Sequence, residues 1–205
     1  GAQVHFVGVG TPQSADSGAA DLSYVDAAFT ALRDHVRPGD VVAGKSTVPV
    51  GTAARLAALY ADTGATLVWN PEFLREGWAV KDTVDPDRIV VGVPSGDEGE
   101  RAADVLRDVY HPSTTKGTPF LVTDYATAEL VKVAANAFLA TKISFINAMA
   151  EIAEVTGADV TQLAEALGHD DRIGRRFPGS GIGFGGGCLP KDIRAFSARA
   201  EELGR

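Results

Sequence analysis

The sequence contains very little sulfur, with one cysteine, Cys188, and one methionine among its 205 residues. A single cysteine excludes an internal disulfide framework and any metal site built from cysteines alone, so we expect a reducing, cytoplasmic location. The thiol itself is either inert or chemically active. The other residue types that bind metals form no familiar ligand pattern, and the sequence therefore predicts no metal site.

Basic residues are also scarce, because 19 Lys and Arg face 27 Asp and Glu and leave a formal net charge of −8. Affinity for nucleic acid depends on clustered Lys and Arg, so this balance argues against a nucleic-acid partner. Long apolar runs are missing as well. No stretch approaches the roughly 18 to 20 apolar residues that span a bilayer, and no signal-type segment opens the chain, so we expect no membrane partner.

Glycine is abundant instead, with 23 residues, seven of which lie between Gly174 and Gly187. The first 123 residues alternate between short β-branched runs and amphipathic stretches, which is typical of βαβ units with a Rossmann-like parallel sheet. Three helices are predicted in this part. The first follows Asp21, which would cap it, the second has Pro49 in its first turn, and the third covers residues 98–110. Strands are predicted at residues 4–9, 40–44, 65–69, 88–93 and 119–122.

From residue 124 to about 155 the pattern becomes one uninterrupted amphipathic helix. At 1.5 Å per residue it would be about 45 Å long and would need a partner, so we expect a homodimer through helix 124–155. A second helix follows with Asp159 as its cap, and Pro190 opens a final helix. The sequence thus predicts an α/β fold, with the partial sheet at residues 1–123 and an all-α dimerisation domain at residues 124–205.

Cys188 follows three consecutive glycines and directly precedes the predicted helix at Pro190. The exposed amide groups and the dipole at a helix N-terminus favour thiolate over thiol. Glycines also leave the backbone open to a closely bound ligand. This setting favours a nucleophile, although a cysteine without such context is more often a small buried core residue.

Lys132 and Asn136 lie four residues apart and therefore on one face of the long helix. An ammonium and an amide donor directed toward one point suit a developing oxyanion. The alternative is an ordinary solvated helix face.

Two carboxylates, Glu72 and Glu76, follow a predicted strand, where ligands of open α/β sheets bind. They can act as general bases or orient a water, and the alternative is a surface ion pair with Arg75. Thr47 follows another predicted strand. Its hydroxyl can hold a water or a phosphate, or it can serve only as a helix cap.

Three arginines, Arg172, Arg175 and Arg176, are concentrated in the segment 171–177 of an otherwise acidic chain. Guanidinium groups bind phosphates through two parallel hydrogen bonds, so a nucleotide diphosphate is a candidate ligand. The alternative is a solvated basic turn.

Six segments resemble, in order, the signature motifs of the UDP-glucose/GDP-mannose dehydrogenase family. They cover nearly the whole chain, and the stretch around Arg172 favours UDP-glucose over GDP-mannose as the substrate that the resemblance implies. The segments are residues 9–12, 45–51, 70–77, 85–92, 132–138 and 184–192.

The resemblance implies an NAD-dependent, four-electron oxidation of a nucleotide-sugar alcohol to a carboxylate, through thiohemiacetal and thioester states on Cys188. Lys132 and Asn136 would stabilise oxyanions. Asp192 and a water held by Thr47 would assist proton transfer and hydrolysis, and Glu72 would be the leading general base.

The resemblance also implies residues that bind the cofactor and the substrate. Thr11 and Lys191 would touch NAD, and Glu76 would lie near its nicotinamide. Arg172 would reach a substrate bound by the neighbouring subunit, in agreement with a dimer. The sugar nucleotide would be lined by Phe73, Phe184 and Gly185.

The chain also departs from the family pattern. It shows neither the N-terminal G-x-G-x-x-G unit nor the C-terminal UDP-binding domain, and Gly187 replaces the serine that usually precedes the nucleophile. Three alternatives therefore stay open. They are a GDP-mannose 6-dehydrogenase, a truncated non-catalytic module that dimerises and binds sugar nucleotide weakly, and a β-hydroxyacid dehydrogenase, which would leave Cys188 unexplained.

Overall fold

A computed structural model of the chain describes residues 1–174, 179, 181, 183 and 185–205. It forms two compact units, one made of residues 1–132 with 195–205 and the other of residues 133–194. Within the described residues the helices are α1 (Ser23–Arg33), α2 (Thr52–Ala57), α3 (Ala79–Val84), α4 (Asp97–Val109), α5 (His111–Thr114), α6 (Tyr125–Thr156), α7 (Val160–Gly168) and α8 (Leu189–Glu202), with a 3-10 turn at Ala58–Tyr60.

The first unit contains a five-stranded sheet with strand order β1-β2-β3-β4-β5, which confirms the predicted α/β class. Strands β1, β2 and β3 are parallel, and β4 is parallel to β5. The expectation of a wholly parallel sheet is wrong at one place, because β3 and β4 are antiparallel and pair at Trp69 and Gly92. The strands are β1 (Val4–Val7), β2 (Val41–Gly44), β3 (Thr66–Trp69), β4 (Ile89–Gly92) and β5 (Phe120–Thr123).

The sheet is covered on both faces. On one face the rings of Phe29 and Trp69 stack at 6.0 Å between centroids, and the Tyr60 hydroxyl donates to the Phe29 carbonyl at 2.7 Å. On the other face Val91 and Leu106, a residue of α4, are fully buried. These two apolar layers hold the strands so that the carboxyl ends of β1, β2 and β3 meet at one edge.

Two helix starts differ from expectation. Helix α2 begins at Thr52 instead of Pro49, because residues before it form a turn in which the Thr52 amide donates to the Pro49 carbonyl. Helix α1 begins at Ser23, and Asp21 lies one position before the N-cap, where its carboxylate still accepts a bond from the Ser23 amide at 2.9 Å. That bond lowers the pKa of Asp21.

Helix α6 has 32 residues, and an 18-residue window of it reaches a mean hydropathy of 1.3. By length and composition alone, α6 is therefore the one helix among the described residues that is long and apolar enough to cross a membrane. The pattern of apolar residues in the sequence predicted no such segment. Its first turns nevertheless bury charged side chains within the first unit, with Glu129 1% and Lys132 6% exposed. Charges buried against protein partners are typical of a packed helix.

The second unit contains the rest of α6, all of α7 and the start of α8. Asp159 caps α7 as predicted, since its carboxylate accepts bonds from the amides of Thr161 at 2.8 Å and Gln162 at 3.2 Å. Helix α8 begins at Leu189, one residue before the predicted start at Pro190.

Candidate active site

The loops that follow β1 and β2 are joined by side-chain hydrogen bonds. The Thr11 hydroxyl donates to the Thr47 carbonyl at 3.0 Å, and the Ser46 hydroxyl donates to the Val9 carbonyl at 2.7 Å. In the loop after β1, a β-carbon added at Gly8 or at Gly10 would meet no other atom within 4 Å. The backbone here is thus open to a ligand at the edge where open α/β sheets bind dinucleotides, so these residues fit part of an NAD molecule.

Glu72 and Lys132 meet in the first unit, although they are far apart in the sequence. The Lys132 ammonium lies 3.3 Å from a Glu72 carboxylate oxygen, and the two side chains are 7% and 33% exposed. The same ammonium lies 5.6 Å from the centre of the Phe73 ring, whose face is also covered by the Arg88 guanidinium at 4.0 Å. The alternative of a solvated helix face is therefore wrong for Lys132.

The segment 70–77 is anchored by a second ion pair. The Arg75 side chain and backbone amide both donate to the Asp82 carboxylate, which is 8% exposed. The hydrogen bonds from the Arg75 side chain lower the pKa of Asp82 to about 2. Arg75 thus pairs with Asp82, a residue that the sequence did not single out, while Glu76 is exposed.

Asn136 and Asp192 meet inside the second unit. The Asn136 amide donates to one Asp192 carboxylate oxygen at 2.7 Å, and the Lys191 ammonium donates to the other at 2.7 Å. Asp192 is 3% exposed and Asn136 is 8% exposed, so this is a buried polar cluster. For Asn136 as well, the alternative of a solvated helix face is wrong.

Cys188 is exposed and lies at the start of α8, as its position before Pro190 predicted. Its carbonyl accepts the hydrogen bond of the Asp192 amide at 2.9 Å, which closes the first turn of the helix. The thiol therefore sits at a helix N-terminus, where amide groups and the helix dipole favour a thiolate. Asp192, with its two bound neighbours, belongs to that same first turn.

The remaining predicted residues are less informative. Arg172 is 88% exposed and forms a bidentate pair with the carboxylate of Asp170. Gly185 is exposed. Phe184 and the other two arginines of the basic segment, Arg175 and Arg176, lie outside the described residues, so the predictions about them stay predictions.

Glu129 is a buried residue that sequence reasoning missed. Its carboxylate accepts bonds from the backbone amides of Gly51 at 2.7 Å and Ala53 at 2.6 Å, at the start of α2. Burial raises its pKa, and these two hydrogen bonds act in the opposite direction. The available signal was an acidic residue one turn before Lys132 on an otherwise apolar stretch of helix.

No group of three or more His, Cys, Asp or Glu that could hold a metal is found in the part of the chain that the structure describes. The chemistry available to these residues is instead that of a thiolate, carboxylates, an ammonium and amide donors. Such groups serve nucleophilic attack, proton transfer and oxyanion stabilisation.

Comparison with known proteins gives two family matches. Residues 1–114 match the NAD binding domain of the UDP-glucose/GDP-mannose dehydrogenase family, and residues 126–205 match its central domain. The UDP-glucose 6-dehydrogenase of Rickettsia felis is 44% identical over 202 residues, which cover 98% of this chain and 44% of that protein. The chain spans about half the length of the curated relatives it matches.

Solved structures of dehydrogenases are also similar to this chain. A UDP-glucose dehydrogenase from the archaeon Pyrobaculum islandicum has a TM-score of 0.88 and 46% identity, covering 98% of this chain and 47% of that one. GDP-mannose dehydrogenase from Pseudomonas aeruginosa has a TM-score of 0.72 and 30% identity, covering 98% and 48%. Since the family models account for both the strand-rich and the helical part, the chain belongs to the UDP-glucose/GDP-mannose dehydrogenase family.

Proposed function

We propose that this chain carries the catalytic residues of an NAD-dependent nucleotide-sugar 6-dehydrogenase, which oxidises UDP-glucose to UDP-glucuronate. The observation that supports this most directly is the first turn of α8. There an exposed cysteine at the helix start is followed by Asp192, whose buried carboxylate is held by Asn136 and Lys191. A nucleophile and a carboxylate in one helical turn, with an amide donor from α6 bound to that carboxylate, suit covalent acyl chemistry.

Cys188 supplies the nucleophile. Its thiolate attacks the carbon of the C6 aldehyde, a carbon–sulfur bond forms, and the electron pair of the C=O bond moves to oxygen. Oxidation of this thiohemiacetal gives a thioester. Water then adds to the thioester carbon, the carbon–sulfur bond breaks, and the thiolate leaves as the carboxylate product forms.

The other residues assist these steps. Asn136 and Lys132 donate hydrogen bonds to the oxyanions formed when thiolate and water add. Glu72 accepts a proton from the hydrolytic water, and Thr47 holds water while Asp192 assists proton transfer. The Lys132–Glu72 pair supports these roles, because the buried ammonium and the half-buried carboxylate hold one another in a defined geometry.

Bound NAD⁺ would supply the hydride acceptor for both oxidations, first of the C6 alcohol to the aldehyde and then of the thiohemiacetal to the thioester. Thr11 would hold it at the edge of the sheet beside the open backbone of Gly8 and Gly10, and Glu76 would lie near the nicotinamide. Lys191 is assigned a further cofactor contact by the family resemblance alone.

UDP-glucose is preferred over GDP-mannose as the substrate because identity is 46% to the UDP-glucose dehydrogenase of P. islandicum and 30% to the GDP-mannose dehydrogenase. Phe73, Phe184 and Gly185 would line the bound sugar nucleotide. A direct comparison of the two substrates in an assay of NADH formation tests this choice. Faster turnover of GDP-mannose would overturn it.

We also propose a homodimer through α6. The side chains of Phe138, Phe145 and Ile152 recur at seven-residue steps and are 65%, 52% and 53% exposed. An apolar stripe with this spacing fits a second copy of the same helix. The exposed Arg172 is free to extend toward a substrate in that second copy only if its pairing with Asp170 gives way.

The decisive variant for the proposed activity is Cys188→Ser in the full-length protein. We expect it to abolish UDP-glucuronate formation, because an alcohol at this position is a far weaker nucleophile than a thiolate. Ser197→Ala, an exposed change later in the same helix, is the matched control and should leave turnover intact. Unchanged acid formation by Cys188→Ser would overturn the mechanism.

Alkylation gives a second test that does not need turnover. Intact mass follows the reaction of Cys188 with iodoacetamide over pH, with and without UDP-glucose. A thiol that reacts with an apparent pKa well below about 8.5 and is shielded by UDP-glucose supports an assembled site. A slow and unprotected thiol would favour the alternative of a non-catalytic dimerising module.

A further inference from the structure

A lysine ammonium is enclosed at the end of β2 by partners that carry no charge. The Lys45 ammonium donates to the Asn70 carbonyl at 3.1 Å, to the Asn70 side-chain oxygen at 2.9 Å and to the Tyr110 hydroxyl at 3.3 Å. These three bonds use all three N–H donors of the ammonium. Burial lowers the pKa of Lys45 to about 8, and the nearby Glu72 carboxylate acts against that shift.

Asn70 is the centre of this network. It is 2% exposed, its amide group donates to the Val90 carbonyl in β4 at 2.8 Å, and its side-chain oxygen also accepts a bond from the Tyr110 hydroxyl at 2.6 Å. The end of β3 is thereby tied to β2, to β4 and to the C-terminal end of α4. A closed network of this kind restricts the residue at its centre to one position.

Glu72 lies two residues after Asn70 in the sequence. Its carboxylate accepts a bond from the Leu74 amide at 2.6 Å and lies 3.3 Å from the Lys132 ammonium. Neither contact reaches the sheet. The Asn70 network therefore connects the segment that carries Glu72 to the strands, in a wall of a cavity of about 510 Å³ that Lys45, Asn70 and Glu72 all line.

We propose that Lys45 is a positioning residue that acts with Tyr110 through Asn70 to hold the Glu72 carboxylate against Lys132. The role of Glu72 in hydrolysis rests on the proposed function, whereas the positioning itself does not. Lys45 touches neither substrate nor cofactor in this scheme. It sets the location of a group that accepts the proton of the hydrolytic water.

The test compares three variants of the full-length protein. Lys45→Met removes all three donors and keeps the aliphatic stem, and Tyr110→Phe removes only one hydroxyl and covers the case in which Lys45→Met does not fold. Lys116→Met is the matched control, because Lys116 lines the same cavity but its ammonium pairs with Asp85. The readouts are hydrogen–deuterium exchange of residues 70–77, kcat for UDP-glucose, and the mass of the protein during turnover.

We expect Lys45→Met to speed amide exchange in residues 70–77 by tenfold or more while exchange in the sheet stays unchanged, and Tyr110→Phe to act in the same direction but less. The kcat of Lys45→Met should fall at least tenfold, with a thioester adduct accumulating on Cys188 because hydrolysis slows. Lys116→Met should match wild type in every readout.

Unchanged exchange in residues 70–77 of both Lys45→Met and Tyr110→Phe would overturn the inference. So would a kcat for Lys45→Met equal to that of Lys116→Met in an active enzyme. If the wild-type protein forms no acid at all, the proposed function fails, and the exchange measurement still decides whether Lys45 holds this segment.

Discussion

At the scale of single residues, the segment that carries Glu72 is fixed at both ends by different chemistry. Asn70 is held before it by hydrogen bonds from the Lys45 ammonium and the Tyr110 hydroxyl, and Arg75 is held after it by the carboxylate of Asp82. The two anchors respond differently to pH, because only the second depends on an acidic group. Titration can therefore separate them.

Asp82→Asn tests the acidic anchor. The folded-state pKa of Asp82 is about 2, below its ordinary 3.8, so its ionised form stabilises the fold above about pH 4 and this stabilisation is lost as the pH falls through about 2. We expect the wild type to exceed Asp82→Asn in free energy of unfolding at pH 6. The difference should shrink steadily between about pH 4 and pH 2, as measured by urea denaturation.

Asp16→Asn is the control for this experiment, because Asp16 is exposed. The difference in free energy of unfolding between wild type and Asp16→Asn should not shrink comparably between about pH 4 and pH 2. If the difference in free energy of unfolding between wild type and Asp82→Asn stayed constant over this pH range, Asp82 would not stabilise the fold through its charge.

At the scale of elements, helix α2 starts without a capping side chain of its own. The Glu129 carboxylate of α6 takes that role, because it accepts the amide hydrogens of Gly51 and Ala53. This contact joins the turn after Thr47 to the helix that carries Lys132. The start of α2 is thus set by a residue 78 positions away instead of by its own sequence.

Glu129→Ala should destabilise the first unit by about 1 to 3 kcal/mol, since the amide groups of Gly51 and of the buried Ala53 would lose their acceptor. Glu129→Gln keeps one acceptor oxygen and should cost less. Urea denaturation followed by circular dichroism measures both values. Equal stability of Glu129→Ala and wild type would show that water replaces the carboxylate.

A close packing contact also explains the glycine that ends β2. A β-carbon at Gly44 would lie 2.2 Å from the ring of Trp69, which is fully buried. The neighbouring strands can therefore hold the large indole only because Gly44 has no side chain.

At the scale of the whole molecule, the proposed homodimer places the apolar stripe of α6 at the interface between the two copies. Phe145→Glu places a charge in the middle of the stripe, and we expect it to convert a dimer to a monomer at micromolar concentration in analytical ultracentrifugation. Glu154→Lys is the control, because Glu154 is exposed and lies on the opposite side of the helix by its spacing. A Phe145→Glu protein that stays dimeric would exclude α6 as the interface.

Much of the fold was predictable because long elements carry a periodic pattern. Helices α4 and α6 lie within one residue of their predicted bounds, at Asp97–Val109 and Tyr125–Thr156. The short helices α3 and α5 were not predicted, since six and four residues contain too few turns to show a period. The direction of β4 was also missed, because a strand's own residues do not encode which way its neighbour runs.

The sequence by itself determined the order of the family motifs, the main elements, and the residue types that can do the chemistry, because these depend on local patterns. Only the tertiary structure decided which of those residues meet. Asn136 and Asp192 are 56 positions apart, and antiparallel β4 brings Arg88 onto the Phe73 ring. Lys45, Asp82 and Glu129 acquire their roles in the same way, since buried charges are held by partners that only the path of the chain brings within reach.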